Sequence, residues 1–275
     1  MPDYEHSVNH HYGNFDLSAR ILEKLRSAGK EPASLTRDDL SQFDEFHTGG
    51  RASTRELAAL AGLKPGMAIL DVGSGIGGPA RTLAAEFSAT VTGLDLTDEF
   101  CRAATMLTTL VGLSERATFV QGNAVNMPFP DRAFDAVWSQ NTIMNIADKK
   151  RLFQEVRRVL RTGGVFALEG VFAGRVKGTI YPTFWASSAE IDFLIPHEEA
   201  RDLLNSAGFQ EELWEDTTGP ILEAALKRHA PKPVDAKRLG RDVIVASNVE
   251  QKIENAVHNL QESRIVTVRA VFRAA

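Results

Sequence analysis

A glycine-rich turn directly after an apolar run is the feature of this sequence best suited to binding chemistry. Residues 69–78 are Ile-Leu-Asp-Val-Gly-Ser-Gly-Ile-Gly-Gly, a pattern typical of a buried strand that ends in a tight turn before a helix. Gly73, Gly75 and Gly77 alternate with other residues, and glycine accepts a positive φ without strain. The backbone of this turn can therefore lie directly against a ligand, beside the carboxylate of Asp71.

The charge of Asp71 separates two classes of ligand. Gly73, Gly75 and Gly78 satisfy the G-x-G-x-x-G spacing of dinucleotide sites, in which backbone amides and a helix N-terminus hold a pyrophosphate. A pyrophosphate near Asp71 would place anion against anion, whereas a ligand with a sulfonium, an ammonium and no phosphate would be attracted. The turn therefore favours S-adenosylmethionine, and a nicotinamide-dependent oxidoreductase is the less favoured alternative.

Other polar side chains stand where later apolar runs end. Asp95 follows 24 residues after Asp71, where a carboxylate can accept hydrogen bonds from two ribose hydroxyls. Its alternative role is to cap the next helix, for which Thr97 or Asp98 is better placed. Asn123 follows the third run and can accept a hydrogen bond through its amide oxygen.

The fourth apolar run ends in a cluster of amide side chains. Gln140, Asn141 and Asn145 are expected to face the cleft in which a methyl group would be presented. For Asn145, capping of a turn is the alternative role.

Alternating strands and helices are expected to position these residues. From Gly66 onward the pattern predicts a parallel sheet with helices on both faces, whose ligands bind beyond the carboxyl ends of the strands. The predicted strands are 68–72, 90–96, 117–121, 136–140, 165–171, 210–215 and 265–272, and the predicted helices are 78–87, 98–111, 147–161, 196–207, 220–229 and 236–260.

Residues 1–60 predict a helical segment with a loop rather than part of the sheet. Thr36 is the expected N-cap of a short helix, with Asp39 at its third position. The stretch 43–51 carries His47 and a Gly-Gly pair. This stretch is either a lid over the site or simply the end of one element and the start of another. Residues 61–275 form the second predicted unit, which includes cap or insertion segments at 174–196 and 218–262.

Composition and charge narrow the functional classes. The chain has 275 residues, 43% hydrophobic and 24% charged, and a net charge of −5, which argues against a nucleic-acid surface. The single cysteine, Cys101, excludes an internal disulfide and is expected to be packed. We find no signal-peptide pattern and no apolar run long enough for a membrane span, which predicts a cytoplasmic protein. His10 and His11 lack the ligand spacing of a metal site, so no metal is expected.

An aromatic group stands in the irregular stretch after the fifth predicted strand. Tyr181, Phe184 and Trp185 surround Pro182 and Thr183. This group is expected either to line an acceptor pocket or to form a small core under a loop.

The order of the motifs resembles that of the class I S-adenosylmethionine-dependent methyltransferases. The motifs are 71–78, Asp95, Gly122-Asn123-Ala124, 144–149 and 158–164. The early His11-Tyr12-Gly13 and the loop 47–50 resemble the small-molecule branch related to the sarcosine and dimethylglycine methyltransferases. Asn123 departs from the family, which commonly has an aspartate at that position.

This resemblance implies a fold and a set of cofactor contacts. The implied fold is a Rossmann-like, doubly wound α/β sheet of seven strands with an antiparallel last strand, an N-terminal helical lid and a helical insertion before the final strand. The implied cofactor-binding residues are Asp71, Gly73, Ser74, Gly75, Gly77, Asp95, Leu96, Asn123, Ala124, Gln140 and Asn141.

The implied reaction is in-line transfer of a methyl group from S-adenosylmethionine to a nitrogen, oxygen or sulfur atom of a small molecule, with S-adenosylhomocysteine as the product. His47 and Tyr12 are the candidate general bases, and Asn145, Tyr181 and Trp185 are the candidate substrate contacts. A homologue that binds the cofactor but performs other chemistry, or none, is the main alternative. The helical segment 220–262 could mediate a homodimer.

Overall fold

The structure, a computed structural model, describes residues 16–228, 239–245 and 248–275, and its centre is one β-sheet. Its strands are β1 (Ala68–Val72), β2 (Thr90–Asp95), β3 (Ala117–Gln121), β4 (Phe134–Gln140), β5 (Leu160–Ala173), β6 (Phe209–Asp216) and β7 (Ile265–Ala274). They form one seven-stranded sheet in the order β3-β2-β1-β4-β5-β7-β6. The pairs among β1 to β5 are parallel, and β7 runs antiparallel to β5 and β6. The predicted α/β fold with its antiparallel last strand is confirmed.

The helices cover both faces and the carboxyl edge of this sheet. They are α1 (Leu17–Ser27), α2 (Arg37–Leu40), α3 (Arg51–Leu60), α4 (Gly78–Glu86), α5 (Asp98–Leu110), α6 (Lys149–Val159), α7 (His197–Ser206), α8 (Thr218–Arg228) and α9 (Val249–Gln261). Thr36 caps α2 in a capping box with Asp39, as predicted. Within the described residues, no helix has the length and apolar character needed to cross a membrane.

One predicted helix is wrong in extent. A continuous helix over 236–260 was expected, but the described residues before α9 contain only a 3-10 turn at Arg241–Val243. Asn248 then adopts φ 59° at the N-cap of α9. A residue in the left-handed region cannot continue a right-handed helix, so α9 begins after it.

Two apolar layers hold the sheet between its helices. On one face β4 and β5 pack against α6 and α7, with Phe153 and Phe166 almost fully buried. On the other face β1 and β4 pack against α3 and α4 around Trp138. Because the strands are buried on both faces, their near-continuous apolar runs are what made them recognisable in the sequence.

The single cysteine lies inside α5 and is buried, as predicted. Burial, followed by the charge of Asp95, raises the pKa of the Cys101 thiol to about 12. The side chain therefore remains a thiol at neutral pH and acts as a small packing group.

Candidate active site

The glycine turn after β1 has the conformation that its sequence requires. Gly73, Gly75 and Gly77 have φ values of 76°, 52° and 83°. A Cβ on Gly73 would lie 2.1 Å from the hydroxyl oxygen of Thr142, so packing as well as φ excludes a side chain there. A Cβ on Gly75 would meet nothing within 4 Å. Gly75 therefore presents bare backbone to open space, as a close ligand contact demands.

A cavity of about 160 Å³, which we call the turn cavity, lies above this turn at the carboxyl ends of β1, β2 and β4. Ten of the residues predicted to bind cofactor or substrate line it. They are Gly73, Ser74, Gly75, Asp95, Leu96, Asn123, Ala124, Gln140, Asn141 and Asn145. Asp71 is buried and Gly77 caps α4, and neither residue is among those that line the turn cavity.

Asp71 is a buried carboxylate with an unused oxygen. The residue is 1% exposed, and burial raises its pKa to about 7, against the opposing charge of His47. Neither Asp71 Oδ2 nor the nearby Ser74 Oγ has a hydrogen-bond partner among the described residues. Buried polar atoms without partners are costly, by about 1–3 kcal/mol each. Both atoms are therefore suited to a ligand that brings a positive charge and N–H groups.

Asp95 joins the turn to the end of β2. Its Oδ2 accepts from the Gly75 amide at 2.8 Å and its Oδ1 from the Thr97 amide at 2.9 Å. Burial raises the pKa of Asp95, although these hydrogen bonds oppose the increase. The Thr97 side chain and the Leu96 backbone also donate hydrogen bonds to this carboxylate. A ligand hydroxyl would therefore share an oxygen with one of these donors or replace it. Asn123 Oδ1, by contrast, accepts from the Val125 amide at 3.0 Å and closes its own turn.

A second cavity of about 880 Å³, the large cavity, lies beside the turn cavity beneath α8 and α9. Most of the side chains lining it are apolar. The apolar residues are Phe46, Ala52, Met144, Val171, Phe184, Trp185, Pro220, Ile221, Ala224, Ala225, Leu239, Ile253, Ala256, Val257, Leu260 and Ile265.

The predicted aromatic group is divided between the cavity wall and its support. Phe184 and Trp185 line the large cavity, but Tyr181 is not among the described residues that line either cavity. The Tyr181 hydroxyl instead donates to Asp192 Oδ2 at 2.7 Å, and Trp185 Nε1 donates to Asp192 Oδ1 at 3.0 Å. Asp192 thus holds Trp185 in the wall, while Tyr181 stands behind it.

The two cavities meet at three residues: Phe46, His47 and Asn141 line both. Two of them belong to residues 43–50, which we call the lid loop. Asn141 Nδ2 donates to Thr48 Oγ1 of this loop at 3.0 Å. Two residues of this loop thus line both cavities, and Gly50 caps α3. The lid interpretation stays a prediction.

Buried polar groups anchor the lid loop to α4 and α3. Arg81 donates to Asp44 at 2.9 Å, and both side chains are at most 3% exposed. Glu45 accepts from Thr82 at 2.5 Å and from Thr54 at 2.8 Å. None of these partners was singled out from the sequence, since they are far apart in the chain and each looks like an ordinary helix residue.

His47 is engaged at both ring nitrogens. Nε2 lies 2.8 Å from Glu45 Oε2 and Nδ1 lies 3.1 Å from the Thr48 carbonyl oxygen. Burial lowers the pKa of His47, but the hydrogen bond to Glu45 and the charge of that carboxylate raise it more, so the net shift is upward. These two partners only accept, which favours the imidazolium, although Thr54 Oγ1 and Gln140 Nε2, which can donate, also lie 3.1 Å from Nε2 and 3.4 Å from Nδ1. In this state His47 has no lone pair for taking a proton from an acceptor.

Tyr12, the other predicted base, lies outside the described residues.

Part of the chain is similar to known methyltransferases. Residues 70–168 match a family model described as "Methyltransferase domain". A sterol 24-C-methyltransferase of Gibberella zeae is 42% identical over 112 residues, which is 41% of this chain and 30% of that protein. A phosphoethanolamine N-methyltransferase of Arabidopsis thaliana is 32% identical over 66% of this chain and 36% of its own length. The chain thus spans about a third of the length of these relatives.

Solved structures share the whole fold at lower sequence identity. Geranyl diphosphate C-methyltransferase from Streptomyces coelicolor has a TM-score of 0.72 at 15% identity, covering 99% of this chain and 98% of that one. A protein of Galdieria sulphuraria assigned as a sarcosine dimethylglycine methyltransferase has a TM-score of 0.64 at 16% identity, covering 94% and 98%. A [4+2]-cyclase has a TM-score of 0.62 at 24% identity, covering 94% and 92%.

These matches confirm the class that the motifs resemble, and none of the proteins compared above is an oxidoreductase. The family match covers both strand ends that carry the carboxylates, Asp71 and Asp95. Residues 70–168 are therefore similar to a methyltransferase domain, and they carry the motifs at 71–78, Asp95 and 122–124 that resemble the class I, S-adenosylmethionine-dependent type.

Proposed function

We propose that the protein transfers a methyl group from S-adenosylmethionine to a nitrogen, oxygen or sulfur atom of a small molecule held in the large cavity. The observation that carries this proposal is the junction of the two cavities at Phe46, His47 and Asn141. A donor in one cavity and an acceptor in the other would meet there. The names of the relatives, which include sterol and phosphoethanolamine methyltransferases, support a small-molecule acceptor.

The residues of the turn cavity fit the proposed cofactor. The unpartnered Ser74 Oγ lines this cavity and suits the ammonium end of the cofactor. The buried carboxylate of Asp71 would attract the cationic end from behind the cavity wall, and the bare backbone of Gly75 allows close approach. When bound, the cofactor supplies a methyl group on a sulfonium, which leaves as a neutral thioether. Asp95 would hold the ribose, while Leu96, Asn123 and Ala124 would contact the adenine.

The contribution of the chain is mainly to position the acceptor and to exclude water. The lid loop covers the junction, and its buried anchors at Asp44 and Glu45 hold it in place. Holding two reactants in line can contribute about 7–11 kcal/mol to lowering the barrier. No nucleophile of the enzyme is required in this scheme.

A hydroxyl acceptor must also lose a proton, and His47 is the predicted base. In the described arrangement it can act so only after Nδ1 releases its proton and its contact with the Thr48 carbonyl. Glu45 would continue to hold Nε2 and orient the ring. A base in such a position contributes about a hundredfold or more to the rate.

Calorimetry with S-adenosylhomocysteine tests the cofactor half of the proposal. We expect micromolar or tighter binding. Asp95→Ala should weaken it, because the two charge-assisted hydrogen bonds that Asp95 would accept from the ribose hydroxyls are lost. Asp98→Ala is the matched control, since Asp98 is an exposed carboxylate three residues away whose ion pair is with Arg102. Absence of binding at millimolar ligand would overturn the proposal.

Transfer itself is tested with methyl-labelled cofactor and a panel of amines, alcohols and thiols of graded hydrophobicity. Label in an extracted product supports transfer. Tight cofactor binding without label on any acceptor would instead favour a homologue with other chemistry, an alternative supported by the structural likeness to a [4+2]-cyclase.

A further inference from the structure

Charged side chains form a row at the sheet end of the large cavity. Arg269 on β7 is paired across the sheet with Glu169 on β5 and with Glu215 on β6. Its Nη1 lies 3.0 Å from Glu56 Oε1 of α3 and 3.6 Å from Glu215 Oε2, and its Nε lies 3.8 Å from Glu169 Oε2. We call these four residues the acidic row.

The acidic row holds three carboxylates against one guanidinium. Glu56, Glu215 and Arg269 line the large cavity directly. Among the described residues that line this cavity, the cationic side chains are Arg269 and His47, and each already faces carboxylates. Arg269 Nε has no hydrogen-bond partner among the described residues, but the guanidinium as a whole faces three carboxylates. An acidic ligand would therefore lose its water without finding a cation whose charge is unpaired, which is costly for a charged group. It would also meet the negative charge of Glu56 and Glu215.

A neutral hydroxyl meets no such barrier. It can donate to a carboxylate of the row and accept from Arg269 or from a threonine hydroxyl, since one oxygen serves both roles. Thr217 and Thr267 line the same end, with their hydroxyl oxygens 2.9 Å apart. Beyond them the wall becomes apolar along α8 and α9, where a hydrocarbon body gains about 25 cal/mol per Å² of buried surface.

We propose that the large cavity selects an apolar, unphosphorylated acceptor whose polar group is a neutral hydroxyl, and that the acidic row excludes phosphate and carboxylate analogues of the same body. This inference rests on the proposed function in that it takes the ligand of the large cavity to be the methyl acceptor. The binding preference itself does not depend on methyl transfer. It separates this chain from neighbours that act on a diphosphate or a phosphorylated amine, as their names state.

Displacement of a neutral fluorescent dye tests the preference without the cofactor. N-Phenyl-1-naphthylamine fluoresces on entering an apolar cavity, and farnesol and farnesyl phosphate are competitors that share one hydrocarbon body. We expect half-displacement by farnesol at a concentration at least about tenfold lower than by farnesyl phosphate. Equal or tighter binding of the phosphate overturns the proposal, and so does failure of the dye and of farnesol to bind.

Substitutions in the row and in the wall locate the effect. Glu215→Gln removes one charge from the row. It should reduce severalfold the ratio of the half-displacement concentration of farnesyl phosphate to that of farnesol. Glu212→Gln, on the same strand but paired with Arg273, should leave this ratio unchanged. An unchanged ratio in Glu215→Gln would show that the row does not exclude anions. Ala256→Trp fills the cavity and should abolish dye binding, while Glu254→Trp, exposed on the same helix, should not.

The two proposals can fail separately. Farnesol that binds with the expected preference, in a protein that transfers no label, leaves the inference standing and removes the proposed function. Transfer of label to phosphorylated acceptors in preference to alcohols would support the proposed function and overturn the inference about the acidic row.

Discussion

Asp71→Asn gives the sharpest test of the site, because it separates the needs of the fold from those of the ligand. The carboxylate is 1% exposed and has an unpartnered Oδ2. Burial raises its pKa from 3.8 to about 7. Ionising this group in the folded protein is therefore unfavourable, and the substitution removes the ionisable group while keeping its shape.

The size of the effect follows from that shift. Each pH unit between the unfolded and the folded pKa corresponds to about 1.4 kcal/mol, so the carboxylate costs the fold at most about 4 kcal/mol above pH 7. Because the pKa of Asp71 is raised in the folded protein, the carboxylate does not reduce the free energy of unfolding below the unfolded pKa. It reduces that free energy increasingly as the pH rises to about 7. Asp71→Asn should thus raise the free energy of unfolding at pH 8, and should raise it by much less at pH 5.

Urea unfolding at both pH values is the assay, with S-adenosylhomocysteine binding measured on the same samples. Asp39→Asn is the control of opposite sign, because hydrogen bonds from Lys30 and then Thr36 lower the pKa of Asp39 to about 2, so its removal should destabilise the protein at neutral pH. The reasoning is refuted if Asp71→Asn is less stable at pH 8, or if its effect is the same at both pH values. We expect Asp71→Asn to be more stable than the unchanged protein and to bind S-adenosylhomocysteine more weakly.

Three further predictions follow from the same geometry. Cofactor affinity should fall about tenfold per pH unit below about 7, because a bound cation must displace the proton of Asp71. Calorimetry in two buffers of different ionisation heat counts the released proton. An affinity that does not change with pH contradicts this prediction. Gly73→Ala should destabilise the protein by at least about 2 kcal/mol through overlap with Thr142 and strain, more than Gly75→Ala, which meets open space; urea unfolding compares them. Cys101 should resist a thiol reagent at pH 8 until the protein is unfolded.

The sheet and the turn cavity were predictable because their determinants are local. Each buried strand is a short apolar run, and in a parallel sheet the carboxyl ends meet at one edge. Asp71, Asp95 and Asn123 could therefore be brought together from their positions at three strand ends, and the structure does bring them together. Nothing about pairing partners distant in the chain had to be known.

The large cavity was not predictable in this way. Its acidic row depends on the registers of three strands, which place Glu169 and Glu215 on either side of Arg269. A change of one residue in either register would move each side chain to the other face of the sheet. The start of α9 was missed for a related reason, since the left-handed conformation of Asn248 is not encoded by the helical spacing around it. The different positions of Tyr181 and Trp185 depend on Asp192, which binds both.

The lid loop explains why the charges of the two cavities should be considered together. Glu45 and His47 form an ion pair on this loop, and they act on Asp71 with opposite signs, the imidazolium lowering its pKa and the carboxylate raising it. Because the pair is nearly neutral as a unit, the lid can cover Asp71 without fixing its protonation state, which leaves that state to burial and to the ligand. Without Glu45, burial would lower the pKa of His47 and favour the neutral imidazole, so Asp71 would lose the positive charge that lowers its own pKa. The pairing with Glu45 therefore keeps a charged histidine at this junction, and its carboxylate offsets the charge that a sulfonium would meet there.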